Sequence, residues 1–258
     1  MAEYDLPHVS HDLSGQSALV TGASSGLGRR YARVLAWAGA RVAITGRRLE
    51  LLESLKAEIA QGGGIAEAIV LDMTNPNDIV AAVDKAQQKL GTLTILVNNA
   101  GVPDSNYATK LSGELIQRVF DTNLKGPFII SCEFARRLMG SGKPGRIVNI
   151  SSAASFYYAG DGAALYSTTK AGLNRMTETL AVEWSRFNIN VNAIAPGAFN
   201  SEMMDGMLER MGDIAAKMPR KRVFDAALLD SSLLFLCSPA SEAVTGTIIR
   251  ADDGQYPR

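Results

Sequence analysis

The sequence predicts an α/β fold, a doubly wound parallel sheet of about seven strands with helices on both faces. Three observations carry this. Short apolar, β-branched runs alternate with stretches of helical periodicity along the whole chain. The first of those runs enters a glycine-rich turn that opens a helix. No linker, repeat or low-complexity segment interrupts the alternation, so the strands are expected to be parallel and covered on both sides.

The chain has 258 residues, which fits one large domain, and 47% are hydrophobic, enough for a sizeable core. Lysine plus arginine and aspartate plus glutamate both number 26, with no block of like charge. That balance argues against a nucleic acid or an anionic membrane surface as partner. Cys132 and Cys237 sit among apolar residues and read as buried thiols, not as a disulfide framework or a metal site. No basic start precedes an apolar run at the N-terminus, and no stretch reaches transmembrane length. A soluble, reducing, cytoplasmic setting is the expectation. Residues 1–14 are polar, carry His8 and His11, and read as a flexible or loosely docked lead. Two lone histidines do not make a metal site, and none is expected.

The first strand, Ser17 to Thr21, runs into Gly22-Ala-Ser-Ser-Gly26-Leu-Gly28. Leu27, Tyr31, Val34, Leu35 and Ala38 then fall on one face of a helix. Gly22 permits the tight turn, Gly26 lets backbone approach a phosphate, and Gly28 lets the helix pack on the strand. A glycine-rich loop alone is a weak signal, and G-x3-G-x-G is not the broader G-x-G-x-x-G fingerprint. Between a strand and a helix start it reads as a pyrophosphate site.

The second strand, Arg41 to Thr45, ends at Gly46. An acid near that place would hydrogen-bond the ribose 2′-hydroxyl of NAD. Here Arg47 and Arg48 follow instead, and guanidinium forks suit a 2′-phosphate, so NADP is favoured over NAD. The plainer reading is that both arginines start a solvated helix with Glu50 and Glu53.

That helix, about Leu49 to Ala60, stops at Gly62-Gly63-Gly64. The third strand, Ile65 to Leu71, places Asp72 on the ligand side of an open sheet, where it either accepts from an adenine amine or caps a turn. Asn75-Pro76 opens a helix whose apolar face is Ile79, Val83, Ala86 and Leu90. The fourth strand, Leu93 to Val97, ends at Asn98-Asn99-Ala100-Gly101, small residues and amides that let backbone meet a ligand. Asn98 reads as a brace for the neighbouring strand. A long helical region spans about Ser112 to Met139, with Asn123 inside an apolar stretch. A buried amide needs partners: Asn123 either kinks the helix and holds a water or is an internal strut.

The fifth strand, Arg146 to Ile150, delivers Ser151 and Ser152. The helix from Leu165 to about Phe187 then carries Tyr166, Lys170 and Leu173 at the spacing of one face. An ammonium beside a phenol lowers a pKa that is normally about 10 and makes the phenol a competent proton donor to a carbonyl. A serine on the neighbouring strand can hold the same oxygen. Taken alone, Tyr-x-x-x-Lys describes any two surface neighbours, and only context reverses that. The sixth strand, Ile189 to Ala195, ends at Pro196-Gly197. Residues 198–224 read as a mobile, apolar segment with Met203, Met204, Met207, Met211 and Met218. Phe156, Tyr157 and Tyr158 follow the serines. Both sets suggest a hydrophobic or aromatic substrate; equally, the aromatics pack at a subunit interface and the methionines are core. A helix from about Ala226 to Cys237 and a strand from Gly246 to Arg250 close the chain.

In combination these residues resemble the short-chain dehydrogenase/reductase family, from about Leu13 onward. The resemblance rests on TGASSGLG at 21–28, Asp72, NNAG at 98–101, Asn123, Ser152, YSTTK at 166–170 and Pro196-Gly197, in that order. It implies a Rossmann-type, seven-stranded parallel sheet, a nicotinamide cofactor, and a homotetramer (or homodimer) built through the long fourth and fifth helices. It implies Tyr166 as general acid/base, Lys170 as its activator and ribose ligand, Ser152 as orienter of the carbonyl oxygen, and Asn123 as holder of a relay water. Gly22, Ser25, Gly26, Leu27, Asp72 and Asn99 would line the cofactor, with Pro196 nearby and Ser201 where a threonine usually meets the carboxamide. Two features depart from the pattern. Ser152 lies fourteen residues before Tyr166, one more than expected, and Asp252-Asp253-Gly254-Gln255 stands where a double glycine is common.

The expected function is an NADP(H)-dependent oxidoreductase moving hydride between the nicotinamide and a secondary alcohol or ketone, with residues 15–258 as a single domain. NAD-dependent oxidation is the alternative enzyme reading. A nucleotide-sensing scaffold without catalysis is a third, weakened because both Tyr166 and Lys170 are present.

Overall fold

The computed structural model describes residues 8–158, 160, 162–212 and 214–255. Among these, seven strands form one parallel sheet: β1 (Ser17–Val20), β2 (Arg41–Gly46), β3 (Ile65–Val70), β4 (Ile95–Asn98), β5 (Gly145–Ile150), β6 (Ile189–Pro196) and β7 (Ile248–Ala251). Their order is β3-β2-β1-β4-β5-β6-β7. The order reverses between β1 and β4, which opens a crevice at their carboxyl ends.

The sheet is covered by α1 (Gly26–Trp37), α2 (Leu49–Gln61), α3 (Pro76–Leu90), α4 (Gly113–Phe120), α5 (Gly126–Ser141), α6 (Ala164–Trp184), α7 (Glu202–Met211) and α8 (Asp230–Cys237). The period of two along each strand divides the core between the faces. Ala18 and Val20 of β1 join the cluster under α1, α2 and α8, while Leu19 joins the one under α3, α5 and α6. Val42 and Ile44 against Ala43 in β2, and Val148 and Ile150 against Ile147 in β5, follow the same alternation.

The helix starts follow local chemistry. Asn75 accepts from the Asn77 N–H ahead of Pro76, and Ser112 accepts from the Leu115 N–H ahead of α4. The long helical region foreseen between 112 and 139 is two helices joined by one turn of π-helix, Asp121–Lys125, which holds Asn123.

Two expectations are refined and two need correction. The N-terminal lead is docked at its end: Leu13 is fully buried, its N–H donates to Ala38 O, and Ser238 Oγ donates to Ser10 O. An apolar side chain beside the α1 terminus outweighs the polar run around it. Residues 198–224, read as a mobile, apolar segment, carry regular structure. They contain α7, capped by Ser201 through the Met204 N–H, and Phe199 pairs with Phe224 at a ring separation of 5.5 Å. The last helix begins four residues late, because Ala226–Leu229 form a 3-10 turn capped by Asp225. Cys237 is buried, but Cys132 lies at the rim of its cluster and is partly exposed.

Candidate active site

A cavity of about 860 Å³ opens at the carboxyl ends of the central strands. At one end lies the glycine-rich turn after β1. Gly22 and Gly26 have φ of +67° and +53°, in the left-handed region where side chains are strained. A Cβ on Gly28 would lie 2.3 Å from Gly22 O, and one on Gly22 would lie 2.8 Å from Ala100 Cα. The turn therefore closes into a cradle that is tight at Gly22 and Gly28, where a side chain has no room. Asn99 secures it by donating to Thr21 O and Gly22 O at 3.0 and 3.2 Å.

Beside this cradle, Arg47 and Arg48 line the cavity. Arg48 donates to Ser24 Oγ at 3.1 Å and to Ser25 Oγ at 2.8 Å. Asp72 also lines it and is held in a turn, accepting from the Thr74 N–H and hydroxyl, each at 2.9 Å. The Thr74 backbone hydrogen bond, above all, keeps its carboxyl below the usual range.

At the other end, α6 presents Tyr166 and Lys170 to the same cavity, and the segment after β5 presents Ser152. The Lys170 ammonium sits 5.6 Å from the centroid of the Tyr166 ring and donates to Ile150 O at 2.7 Å. It is 3% exposed, and burial pushes its pKa down to about 8. Ser152 accepts from the Ala154 N–H at 3.1 Å and starts a short 3-10 turn.

Asn123 is the predicted site residue that does not line the cavity. It is fully buried behind Gly101. There it accepts from the Val102 N–H at 2.8 Å and donates to Val102 O and Thr169 Oγ1 at 2.9 and 3.2 Å. Its side chain ties the loop after β4 to α6. The remaining predicted residues, Leu27, Pro196 and Ser201, all reach the cavity wall. Asn98 braces Ser131 and Asn149, as its position predicts.

These two ends, a phosphate cradle and a phenol beside a buried ammonium, fit one kind of chemistry, proton transfer next to a bound dinucleotide. A family model described as short chain dehydrogenase matches residues 16–211. The chain belongs to the short-chain dehydrogenase family. It is an NAD(P)-dependent oxidoreductase. Gluconate 5-dehydrogenase of Gluconobacter oxydans is 33% identical over 94% of this chain and 95% of its own length. 3-Oxoacyl-[acyl-carrier-protein] reductase of Rickettsia bellii is 34% identical over 94% and 98%. The structure of a gluconate 5-dehydrogenase from Burkholderia cenocepacia J2315, in complex with NADP and tartrate, has a TM-score of 0.89 at 30% identity, covering 95% and 96%.

Three residues of this short-chain dehydrogenase's site escaped the sequence. Asp104 is 3% exposed and accepts from the Leu165 N–H at 2.9 Å, capping α6 where Ala163 offers no side chain. Gln255 accepts from the Ala198 N–H at 2.7 Å and packs on Gly197, so the unusual C-terminal sequence holds the turn after β6. Glu202 faces Ser25 and Arg48 across the cradle. Glu202 left a trace as an acid in the first turn of a helix opened by serine, and Gln255 as part of the departure at 252–255; Asp104 left none.

Proposed function

We propose that this oxidoreductase uses NADP(H) and reduces a hydrophobic ketone, or oxidises the matching secondary alcohol. The observation that carries this is the Tyr166 phenol, packed beside the buried Lys170 ammonium on the wall that also holds the glycine cradle. The residues present fit a dinucleotide: a glycine-rich turn at a helix start for the pyrophosphate, and two guanidiniums at the end of β2 for a 2′-phosphate. When bound, the nicotinamide supplies or takes up the hydride.

Tyr166 gives its hydroxyl proton to the substrate oxygen as that oxygen gains negative charge. Lys170 stabilises the charge left on the phenol oxygen and holds ribose hydroxyls. Ser152 donates to the substrate oxygen and fixes its direction. Asn123 acts at one remove, holding the backbone at Val102 against α6 beside the relay to Lys170. Gly22, Ser25, Gly26, Leu27, Asp72, Asn99, Pro196 and Ser201 shape the cofactor's bed.

The substrate end supports a hydrophobic ligand. Tyr157, Tyr158, Phe199, Met204, Met207 and Met218 line it. Phe156 does not line the cavity; it lies under the Arg250 guanidinium at 3.8 Å. Exposed Phe120 and Phe128 on the α4–α5 region support assembly as a homotetramer. Residues 15–258 act as one domain in the cytoplasm.

The experiment is Tyr166→Phe. Turnover of a panel of aryl and aliphatic ketones, followed through NADPH absorbance, is expected to vanish while NADPH affinity stays within about twofold. Retention of most of kcat would refute the role of Tyr166. NADP(H) use is checked by kcat/KM for both cofactors in wild type and Arg47→Ala.

A further inference from the structure

The end of β2 carries no acid, since Gly46 stands there and two arginines follow. A carboxylate nevertheless reaches that place, delivered by α7. Glu202 Oε2 accepts from Ser25 Oγ at 2.7 Å, and the carboxylate faces the Arg48 guanidinium at 3.2 and 3.4 Å. The same guanidinium holds Ser24 and Ser25. Ser201, the cap of α7, approaches within 3.4 Å of where a Gly26 Cβ would stand, so α7 starts against the glycine cradle itself. The Ser25 and Arg48 hydrogen bonds hold the Glu202 carboxyl below its usual range, so it is ionised at neutral pH.

We infer that Glu202 is a cofactor-specificity residue, a carboxylate supplied from α7 that lowers preference for NADP(H) relative to NAD(H). This rests on the reading of the cradle as a dinucleotide site with Arg48 at its ribose. A 2′-phosphate must take the Arg48 fork from Glu202 and then carry nearly two negative charges beside it. A bare 2′-hydroxyl meets neither obstacle and can donate to the carboxylate, the part an acid at the end of β2 plays in NAD sites. An acid in the first turn also favours the α7 dipole. That benefit is indifferent to the cofactor, so a ratio of affinities separates the two roles.

The test is titration calorimetry of NADP+ and NAD+ against wild type, Glu202→Gln, Arg48→Ala and the double variant. Adenosine 2′,5′-bisphosphate and adenosine 5′-monophosphate serve as fragments that isolate the 2′-phosphate. Glu202→Gln is expected to raise the NADP+/NAD+ affinity ratio about fivefold at low salt, the worth of one exposed charge pair, and less at high salt. In the Arg48→Ala background the same change is expected to move the ratio by less than about twofold, since the contest is over that guanidinium. An unchanged ratio overturns the inference, as does equal tightening of both dinucleotides. The cofactor reading fails separately. Wild type binding NAD+ more tightly than NADP+ refutes the NADP preference, while a raised ratio in Glu202→Gln still upholds Glu202. Binding of neither nucleotide refutes both.

Discussion

Asp104 Oδ2 accepts a hydrogen bond from the backbone nitrogen of Tyr166 at 3.3 Å, across 62 residues of sequence. Together with the bond from the Leu165 N–H, this caps α6 with a carboxylate from the loop after β4. The first N–H groups of a helix lack intrahelical partners, and burying them bare is costly. Asp104→Ala is expected to cost about 1–2 kcal/mol in urea unfolding. It should also lower kcat more than it raises KM for NADPH, because the cap fixes where Tyr166 stands. Asp104→Asn, which keeps one acceptor oxygen, should recover most of both. Equal kcat in wild type and Asp104→Ala would show that the cap does not position the phenol.

Lys170 is expected to make cofactor binding depend on pH. Its folded pKa, about 8, lies below its ordinary value because the ammonium is buried. A lowered lysine pKa means that the unfolded chain holds the proton more tightly, so this group's penalty on stability is present below about 8 and fades as pH rises toward about 10.5. The ammonium itself is lost over the same rise. NADPH affinity is therefore expected to weaken above about pH 8 in wild type and to be flat in Lys170→Met. A flat wild-type profile would remove Lys170 from the ribose site.

Gly28→Ala should abolish nucleotide binding with little help from relaxation. The new methyl would meet Gly22 O and Asn99 Nδ2, both at 2.3 Å, and the first is backbone. Either α1 lifts from β1 or the cradle opens. Equilibrium dialysis with NADPH checks the loss, and a wild-type dissociation constant would mean that the turn is softer than its packing implies.

Sequence made the sheet, the cradle and the pairing of Tyr166 with Lys170 legible, because each is written locally. The alternation of Ala18, Leu19 and Val20 between two cores is a period-two signal. Tyr166 and Lys170 are one helical turn apart, so their neighbourhood needs no knowledge of the fold. The roles of Asp104, Glu202 and Gln255 were not legible, since each acts on a partner distant in sequence. Leu13 was hidden for the opposite reason: one apolar residue in a polar run carries no periodicity, yet is fully buried. Asn123 was ambiguous from sequence because a buried amide announces only that it has partners.

Those partners make Asn123 a sharp test of what holds the active-site floor together. Its Oδ1 takes the Val102 N–H while its Nδ2 serves Val102 O and Thr169 Oγ1, so one amide ties the loop after β4 to α6 inside the π turn. Asn123→Asp keeps the shape and reverses one polarity. A carboxylate oxygen would then face Val102 O in a fully buried site, and two acceptors would share no proton. The cost is expected to be about 2–3 kcal/mol in urea unfolding, more than removal of one exposed bond. kcat should fall with it, because Val102 follows the Gly101 backbone, where a Cβ would lie 3.6 Å from Lys170 Nζ. Asn123→Ser, smaller but still able to accept from the Val102 N–H, should lose stability without that repulsion and retain more activity. If Asn123→Asp unfolds at the wild-type urea midpoint, the floor is not held by this amide.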